Sequence, residues 1–252
     1  MMTLNVAHRG ASALAPENTI AAFEKAIESG ADAIELDLHV SRDGALVVIH
    51  DQTLDRTTNG QGPVHARSLQ DLKQLDAGHW FGEGFAGQRM PTLAEVLDRF
   101  AGKIPLALEV KAGSAFFRGI EEKVVAVLRE YQVISQVAVA SFDHYALRTL
   151  KELEPSLRTA ALLVGRPISM PAIAEACKAD AMAIECNLVT ETEVEACHAA
   201  GLQLVVWVVN EPAQMGHFID LGVDGIITDR PDLLRHMLAE RSALHPTPTH
   251  QK

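Results

Sequence analysis

Two hydrophobic rhythms alternate along nearly the whole chain. Short apolar runs rich in β-branched residues read as strands: TLNVAH, ADAIELDLHV, IPLALEVK, QVAVASF, RTAALLV, AMAIECN, LQLVVWVVN and VDGIITD. Most are followed by a segment whose apolar residues recur at three and four, the period of a helix with one buried face. ENTIAAFEKAIESG, GIEEKVVAVLREY, HYALRTLKELEP, MPAIAEACKA, TETEVEACHAAG, EPAQMGHFIDLG and RPDLLRHMLAER are of this kind. Gly30, Gly201 and Gly222 stand where such helices must stop. About eight strand–helix units predict an α/β chain closed into a (β/α)8 TIM barrel. A doubly wound open sheet is the alternative, but no G-x-G-x-x-G follows a strand, which speaks against dinucleotide binding.

The rhythm breaks once. After ELDLHVSRDGALVVIHD, residues 51–90 are rich in Gly, Gln, Thr and Asp and include TTNGQGP and GHWFGEGFAGQRMP, before the helical TLAEVLDRF resumes the pattern. A stretch this long reads as an insertion at the barrel mouth, a lid or binding loop. The domain reading is therefore one barrel over 1–241 carrying that insertion. The tail 242–252, SALHPTPTHQK, has little to bury and is expected to be disordered.

Composition narrows the class. The 252 residues are 48% hydrophobic and 22% charged, enough for one large core. A net charge of −11 argues against nucleic acid and anionic membranes as partners, yet a local cation can still receive an anionic substrate. Cys177, Cys186 and Cys197 show no pairing motif and read as reduced, buried thiols. No apolar run has membrane-spanning length and the N-terminus lacks a signal-peptide pattern, so a cytoplasmic protein without membrane insertion is expected. Whether it forms a homo-oligomer is left open.

In a barrel of this kind function gathers where the strands end. The first strand ends in His8-Arg9, the second carries Glu35 and Asp37, ALVVIHD ends in His50, the next barrel strand ends in Glu109 and Lys111, and a late strand carries Trp207. Alternation puts Glu35 with Asp37, and Glu109 with Lys111, on one face. Three carboxylates in a low-dielectric mouth repel one another and lose hydration, which a divalent cation resolves. All-oxygen ligation favours Mg²⁺, Ca²⁺ or Mn²⁺ over zinc. The plainer reading pairs the acids with Lys111 or Arg9. His8 and His50 suit general acid–base work, with Arg9 and Lys111 neutralising a phosphoryl oxygen. That set is what cleavage of a phosphodiester requires. Trp207 is expected to touch substrate, whereas Trp80, Phe81 and Phe85 either shape a leaving-group pocket or form a small core of the insertion.

Asp43-Gly44 predicts a two-residue hairpin turn. Residue 42 would then face 45, and Asp37 would face His50 directly.

HRGASALAPENT, IELDLHVSRDGALVVIHDQTLDRTTNGQG, LEVK, ASFD, VWVVN and GVDGIITDRPD come in one order from residue 6 to about 232, and on them the chain resembles the glycerophosphodiester phosphodiesterase family. The resemblance implies a barrel with a small insertion that hydrolyses small-molecule glycerophosphodiesters to sn-glycerol 3-phosphate and an alcohol. It implies Glu35, Asp37 and Glu109 as metal ligands, His8 and His50 as the acid–base pair, and Arg9 and Lys111 as phosphate contacts. Ser41 departs from the family's usual threonine without chemical consequence. A lysophospholipase D-like activity on lysolipids is the alternative substrate reading. A non-catalytic phosphodiester-binding barrel would be free to lose a histidine, and none is missing. An isomerase or lyase on the same fold would leave His8-Arg9 without a task.

Overall fold

The computed structural model describes residues 3–111, 113 and 117–244. In chain order the strands are β1 (Leu4–Ala7), β2 (Ala33–Val40), β3 (Leu46–Val48), β4 (Leu106–Val110), β5 (Val137–Ser141), β6 (Arg158–Leu163), β7 (Ala181–Glu185), β8 (Gln203–Trp207) and β9 (Gly225–Thr228). The helices are α1 (Ile20–Glu28), α2 (Leu69–Leu72), α3 (Leu93–Phe100), α4 (Ile120–Glu130), α5 (His144–Leu153), α6 (Met170–Cys177), α7 (Glu191–Ala199), α8 (Pro212–Leu221) and α9 (Pro231–Leu244). The strand order β1-β9-β8-β7-β6-β5-β4-β2, with β1 pairing back onto β2, closes a parallel barrel of eight strands wrapped by helices. This is the expected (β/α)8 barrel; β3 stands outside it, antiparallel to β2.

Burial explains the architecture. Strand residues facing outward, such as Leu36, Leu108, Leu204 and Ile226, are fully buried against the apolar faces of the helices. Helix starts on the catalytic side are fixed by side-chain caps. Thr19 Oγ1 accepts the Ala22 N–H at the head of α1, and Asp143 accepts those of Tyr145 and Ala146 at the head of α5. The loop from β1 to α1 is pulled in tightly: a Cβ on Gly10, at φ +84°, would stand 2.6 Å from the Ala22 carbonyl carbon. The three cysteines are free and buried. Among the described residues no helix is long and apolar enough to cross a membrane. Helix α9 runs to Leu244, beyond the expected end of the barrel at 241; the rest of the expected tail, 245–252, lies outside the described residues.

Residues 51–90 do not wander. Val47, Ile49, Leu54, Val64, Leu72 and Met90 form a separate small core, to which α2 contributes. Trp80, Phe81 and Phe85 are not in it. They stack edge to face at 5.6 and 5.3 Å as an aromatic cluster of their own, with Trp80 40% exposed.

The hairpin register is a correction. Val40 pairs with Leu46 and Leu38 with Val48, so Asp37 lies opposite Ile49, whose N–H it receives at 3.1 Å, and not opposite His50. The turn holds three residues, Arg42-Asp43-Gly44, because Ser41 N–H bonds to the Ala45 carbonyl (2.9 Å) and Gly44 takes the left-handed position at φ +86°. Asp43 is occupied elsewhere: it accepts the Ser41 hydroxyl at 2.6 Å and the Leu69 N–H at 2.9 Å, tying the turn to α2. A one-residue shift exchanges the faces of a strand. It sends Val47 and Ile49 into the insertion's core and Leu46 and Val48 into the barrel's.

Candidate active site

All eight residues singled out in the sequence line one cavity at the C-terminal ends of the strands, or touch a residue that does. His8, Arg9, Glu35, His50, Glu109, Lys111 and Trp207 line it, and Asp37 lies behind Lys111. The structure therefore gathers these residues although the predicted His50–Asp37 pairing was off by one. His50 lies just past β3, and its charge still reaches Asp37.

Glu35, Asp37 and Glu109 are buried, and one carboxylate oxygen from each lies within 4.8 Å of the others. β2 supplies the first two from alternate positions, and β4 brings Glu109 level with Asp37 in the parallel register. Lys111 Nζ stands 2.8 Å from Asp37 Oδ1 and from Glu109 Oε1. These contacts are ionic and poorly angled, so both oxygens are buried without an aligned hydrogen bond. Asp37 Oδ2 accepts Asn18 Nδ2 at 2.7 Å and faces Arg9 Nε at 3.4 Å. Burial would raise the Asp37 carboxyl, but the charges of Lys111, Arg9 and His50 outweigh it and hold it at about 2. Glu35 goes the other way: burial, then the negative charges of Asp37 and Glu109, push it well above the usual carboxylate range. Burial also raises Glu109, with Lys111 opposing. The cluster is thus short of positive charge. A hard divalent cation fits this donor set of crowded carboxylate oxygens, two of them lacking a directed partner.

The loop after β1 holds two residues in the left-handed region, Arg9 at φ 54° and Asn18 at φ 57°. Both are pinned at the site. The Arg9 N–H donates to Glu35 Oε2 at 2.9 Å, its Nη1 donates to Glu17 Oε1 at 2.8 Å, and Asn18 clasps Asp37. Backbone strain is stored where it orients the carboxylates.

Each histidine has a carboxylate on Nδ1. His8 Nδ1 lies 2.6 Å from Asp229 Oδ1, and Asp229 also accepts Ser12 Oγ (2.8 Å) and Asn210 Nδ2 (2.6 Å). Burial would raise Asp229, but these hydrogen bonds and the charge of His8 bring it down to about 2. His50 Nδ1 lies 2.7 Å from Asp51 Oδ1. Asp51 is gripped by Arg56, whose Nε and Nη2 donate at 2.8 Å, and the same guanidinium reaches both oxygens of Glu17 at 2.7 and 2.8 Å. Hydrogen bonds from Arg56 pull Asp51 down, and burial followed by the charge of Lys111 lowers His50. With Nδ1 engaged in each ring, Nε2 is left for chemistry.

Lys111 has its pKa raised: burial opposes, but Asp37 and Glu109 outweigh it. Trp207, half-buried, stacks edge to face on Phe142 at 5.6 Å, and its buried Nε1–H has no acceptor among the described residues. Trp80, Phe81 and Phe85 do not line the cavity, which counts against a leaving-group pocket built from them.

Sequence reading missed Ser12, Glu17, Asn18, Asp51, Arg56, Asn210 and Asp229. Asp229 and Asn210 follow the apolar runs GIIT and LQLVVWVV, so the strand-end rule that found His8 could have found them. Arg56 carried no such signal, because its position depends on how the insertion folds.

Comparison with known proteins points one way. The sequence pattern of the Glycerophosphoryl diester phosphodiesterase family matches residues 8–233. A glycerophosphodiester phosphodiesterase of Caldanaerobacter subterraneus subsp. tengcongensis is 45% identical over 242 residues, spanning 94% of this chain and 98% of that protein. A crystal structure of the Agrobacterium tumefaciens glycerophosphodiester phosphodiesterase superposes with a TM-score of 0.83 at 34% identity, covering 94% of this chain and 100% of that one. An Oleispira antarctica phosphodiesterase, in complex with its product sn-glycerol-3-phosphate, reaches a TM-score of 0.90 at 28% identity over 94% and 97% of the two chains.

Proposed function

From the premise that this chain belongs to the glycerophosphoryl diester phosphodiesterase family and is a phosphodiesterase of glycerophosphodiesters, we propose that it cleaves them by two-histidine acid–base catalysis beside a divalent cation. The products are sn-glycerol 3-phosphate and an alcohol. The observation that carries this reading is the symmetry of support: two histidines, each with a carboxylate on Nδ1, flank a buried cluster of three acids and two cations.

Glu35, Asp37 and Glu109 would hold the cation, Mg²⁺, Ca²⁺ or Mn²⁺ by donor type. When bound, it neutralises charge on a phosphoryl oxygen. The remaining work falls to the chain itself. Arg9 and Lys111 offer positive charge to the phosphate and hold Asp37 ionised. One histidine accepts a proton at Nε2 from the attacking hydroxyl, and the other donates from Nε2 to the departing alkoxide. Asp229 and Asp51 orient the rings and stabilise the imidazolium of each in turn. Trp207, which lines the cavity, offers its ring to the substrate. The attacking oxygen belongs either to water or to the glycerol 2-hydroxyl; trapping a cyclic phosphate distinguishes them.

The test is release of glycerol 3-phosphate from glycerophosphocholine. Chelator should abolish it and added Mg²⁺, Ca²⁺ or Mn²⁺ restore it. His8→Ala and His50→Ala should each lower kcat by about 10²–10⁴-fold. Full activity in the presence of chelator would overturn the metal reading, and full activity in either variant the acid–base one.

A further inference from the structure

The axis of an eight-stranded α/β barrel is ordinarily filled by layers of bulky branched side chains. Here many inward positions carry alanine, Ala107, Ala138, Ala140, Ala160, Ala181 and Ala183, while Val6, Leu162, Val205 and Ile227 supply the branched side chains. Methyl groups cannot meet across the axis. A cavity of about 430 Å³ results, running from His8, Arg9 and Glu109 at the rim to Leu4, Arg158 and Gln203 at the opposite ends of the strands. The strands record it too. In β5 the axis-facing Ala138 and Ala140 are half-buried while Val137, Val139 and Ser141, facing the helices, are buried. In β8 the same alternation separates Val205 from Leu204 and Val206. Leu4, in the first barrel strand, is 45% exposed.

The mouth above the cavity is apolar on one side. Of seven exposed large hydrophobic residues among those described, four stand just after β5 and β6 on the catalytic face: Phe142, Tyr145, Val164 and Ile168. Phe142 lines the cavity and packs on Trp207, joining this patch to the interior. A patch of this kind marks contact with apolar material. The net charge of −11 disfavours an anionic membrane and leaves a dispersed amphiphile.

We propose, on the reading of the rim as a glycerophosphodiester-cleaving centre, that the barrel cavity binds an unbranched alkyl chain carried by the substrate. The volume falls within the roughly 300–1,000 Å³ of small-molecule sites. An eight-stranded barrel is wide enough for one small ligand. Between the polar rim and the polar floor, a wall of alanine, Val6, Leu162, Val205 and Ile227 side chains offers water none of the two to four polar partners it needs. The phosphodiester stays at the rim, and the chain lies along the axis with its end toward the polar floor. From Leu4 to His8 is four residues. At ~3.3 Å per residue and a strand tilt of ~36°, the bore is about 11 Å deep. An extended chain advances about 1.25 Å per carbon, from a C–C bond of about 1.5 Å, so roughly nine carbons fit.

The experiment measures kcat/KM for glycerophosphocholine and for two series of monomeric substrates below their micelle concentrations. One series is 1-acyl-glycerophosphocholines; the other is glycerophosphoalkanols; both carry chains of growing length. A gain of roughly two- to four-fold per methylene, levelling off near nine carbons, is expected in one series and identifies which half of the substrate enters the barrel. A flat response in both series overturns the proposal. Ala138→Leu and Ala160→Leu, each filling the bore, should bring the long-to-short ratio of kcat/KM toward one. The ratio cancels any loss of folded protein, and a ratio unchanged in both variants also overturns the proposal. Calorimetric titration with decyl phosphate against ethyl phosphate reads the site without turnover. Tighter binding of decyl phosphate by an enzyme that cleaves no glycerophosphodiester would uphold the bore and overturn the catalytic reading, whereas equal binding of the two would overturn the bore alone.

Discussion

The two histidine walls use the same device in different mechanical settings. His8 follows a barrel strand, and its partner Asp229 and that carboxylate's own donor Asn210 stand past the ends of β9 and β8. Their spacing is set by the sheet, whose core is continuous with the helices around it. His50 lies on the far side, past a strand outside the barrel, and Asp51 is held by Arg56 of the insertion. That wall rests on a six-residue core and on charge. Arg56 is also the strut between walls, because Glu17 binds both Arg56 and Arg9. One half of the site is therefore as rigid as the barrel, while the other is only as rigid as a small satellite core and a chain of ion pairs.

The sharpest way to break this contrast is to cut each core. Leu108→Ala, in the barrel, should cost about 2–5 kcal/mol and lower the global Tm. Leu54→Ala, in the insertion, should lower activity and expose residues 51–90 to protease at temperatures where the barrel is still folded. Thermal melts beside limited proteolysis check it, and a single shared transition for both variants would show that the insertion and barrel are one cooperative unit.

Next in size is the strut. Arg56→Ala should lower kcat by about ten- to a hundred-fold, the range for residues that orient ligating or reacting groups, with little change in Tm. Arg56→Lys should recover only part, since one ammonium cannot reproduce bidentate contacts to two carboxylates. The arginine is 44% exposed, so added salt should weaken the wild-type enzyme toward the variant. Salt-independent activity in the wild type would argue that Arg56 is a bystander.

The smallest effect is in pH. Asp76, in the insertion, accepts the N–H groups of Gly78, His79 and Gly87 and is held down at about 2, below its ordinary 3.8. A depressed carboxylate contributes stability that is present above the unfolded value and lost as pH falls through the folded one. Hydrogen exchange at Gly78 and His79 should be faster in Asp76→Ala than in wild type at pH 5, and the gap should close between about pH 4 and pH 2. Asp229 shares the same window on the barrel side, where burial raises it but the hydrogen bond and charge of His8 prevail. A gap that persists below pH 2 would assign the effect of the substitution to packing rather than charge.

The barrel was legible because each strand and helix carries its own period, and closure follows from repeating one unit. The rim residues were legible for a related reason: a polar side chain after an apolar strand has one face to occupy, as His8, Glu109 and Lys111 do. The hairpin register was not. Asp43-Gly44 is locally a good two-residue turn, and the Leu69 N–H, 26 positions away, helps commit Asp43 to a longer one. Asp51 and Arg56 were missed because a charged residue in a polar insertion looks like any solvated charge until the insertion folds.

By itself, then, the sequence determined the repeating unit, the strand ends, and the residue types that can bind a cation and move protons. These depend on periodicity and on side chains adjacent in the chain. Tertiary structure alone decided which carboxylate serves each histidine, how Arg56 joins the two walls, and that alanines on separate strands leave the barrel axis open. Each of those is a meeting of residues far apart in sequence, and the distance between them exists only once the sheet has closed.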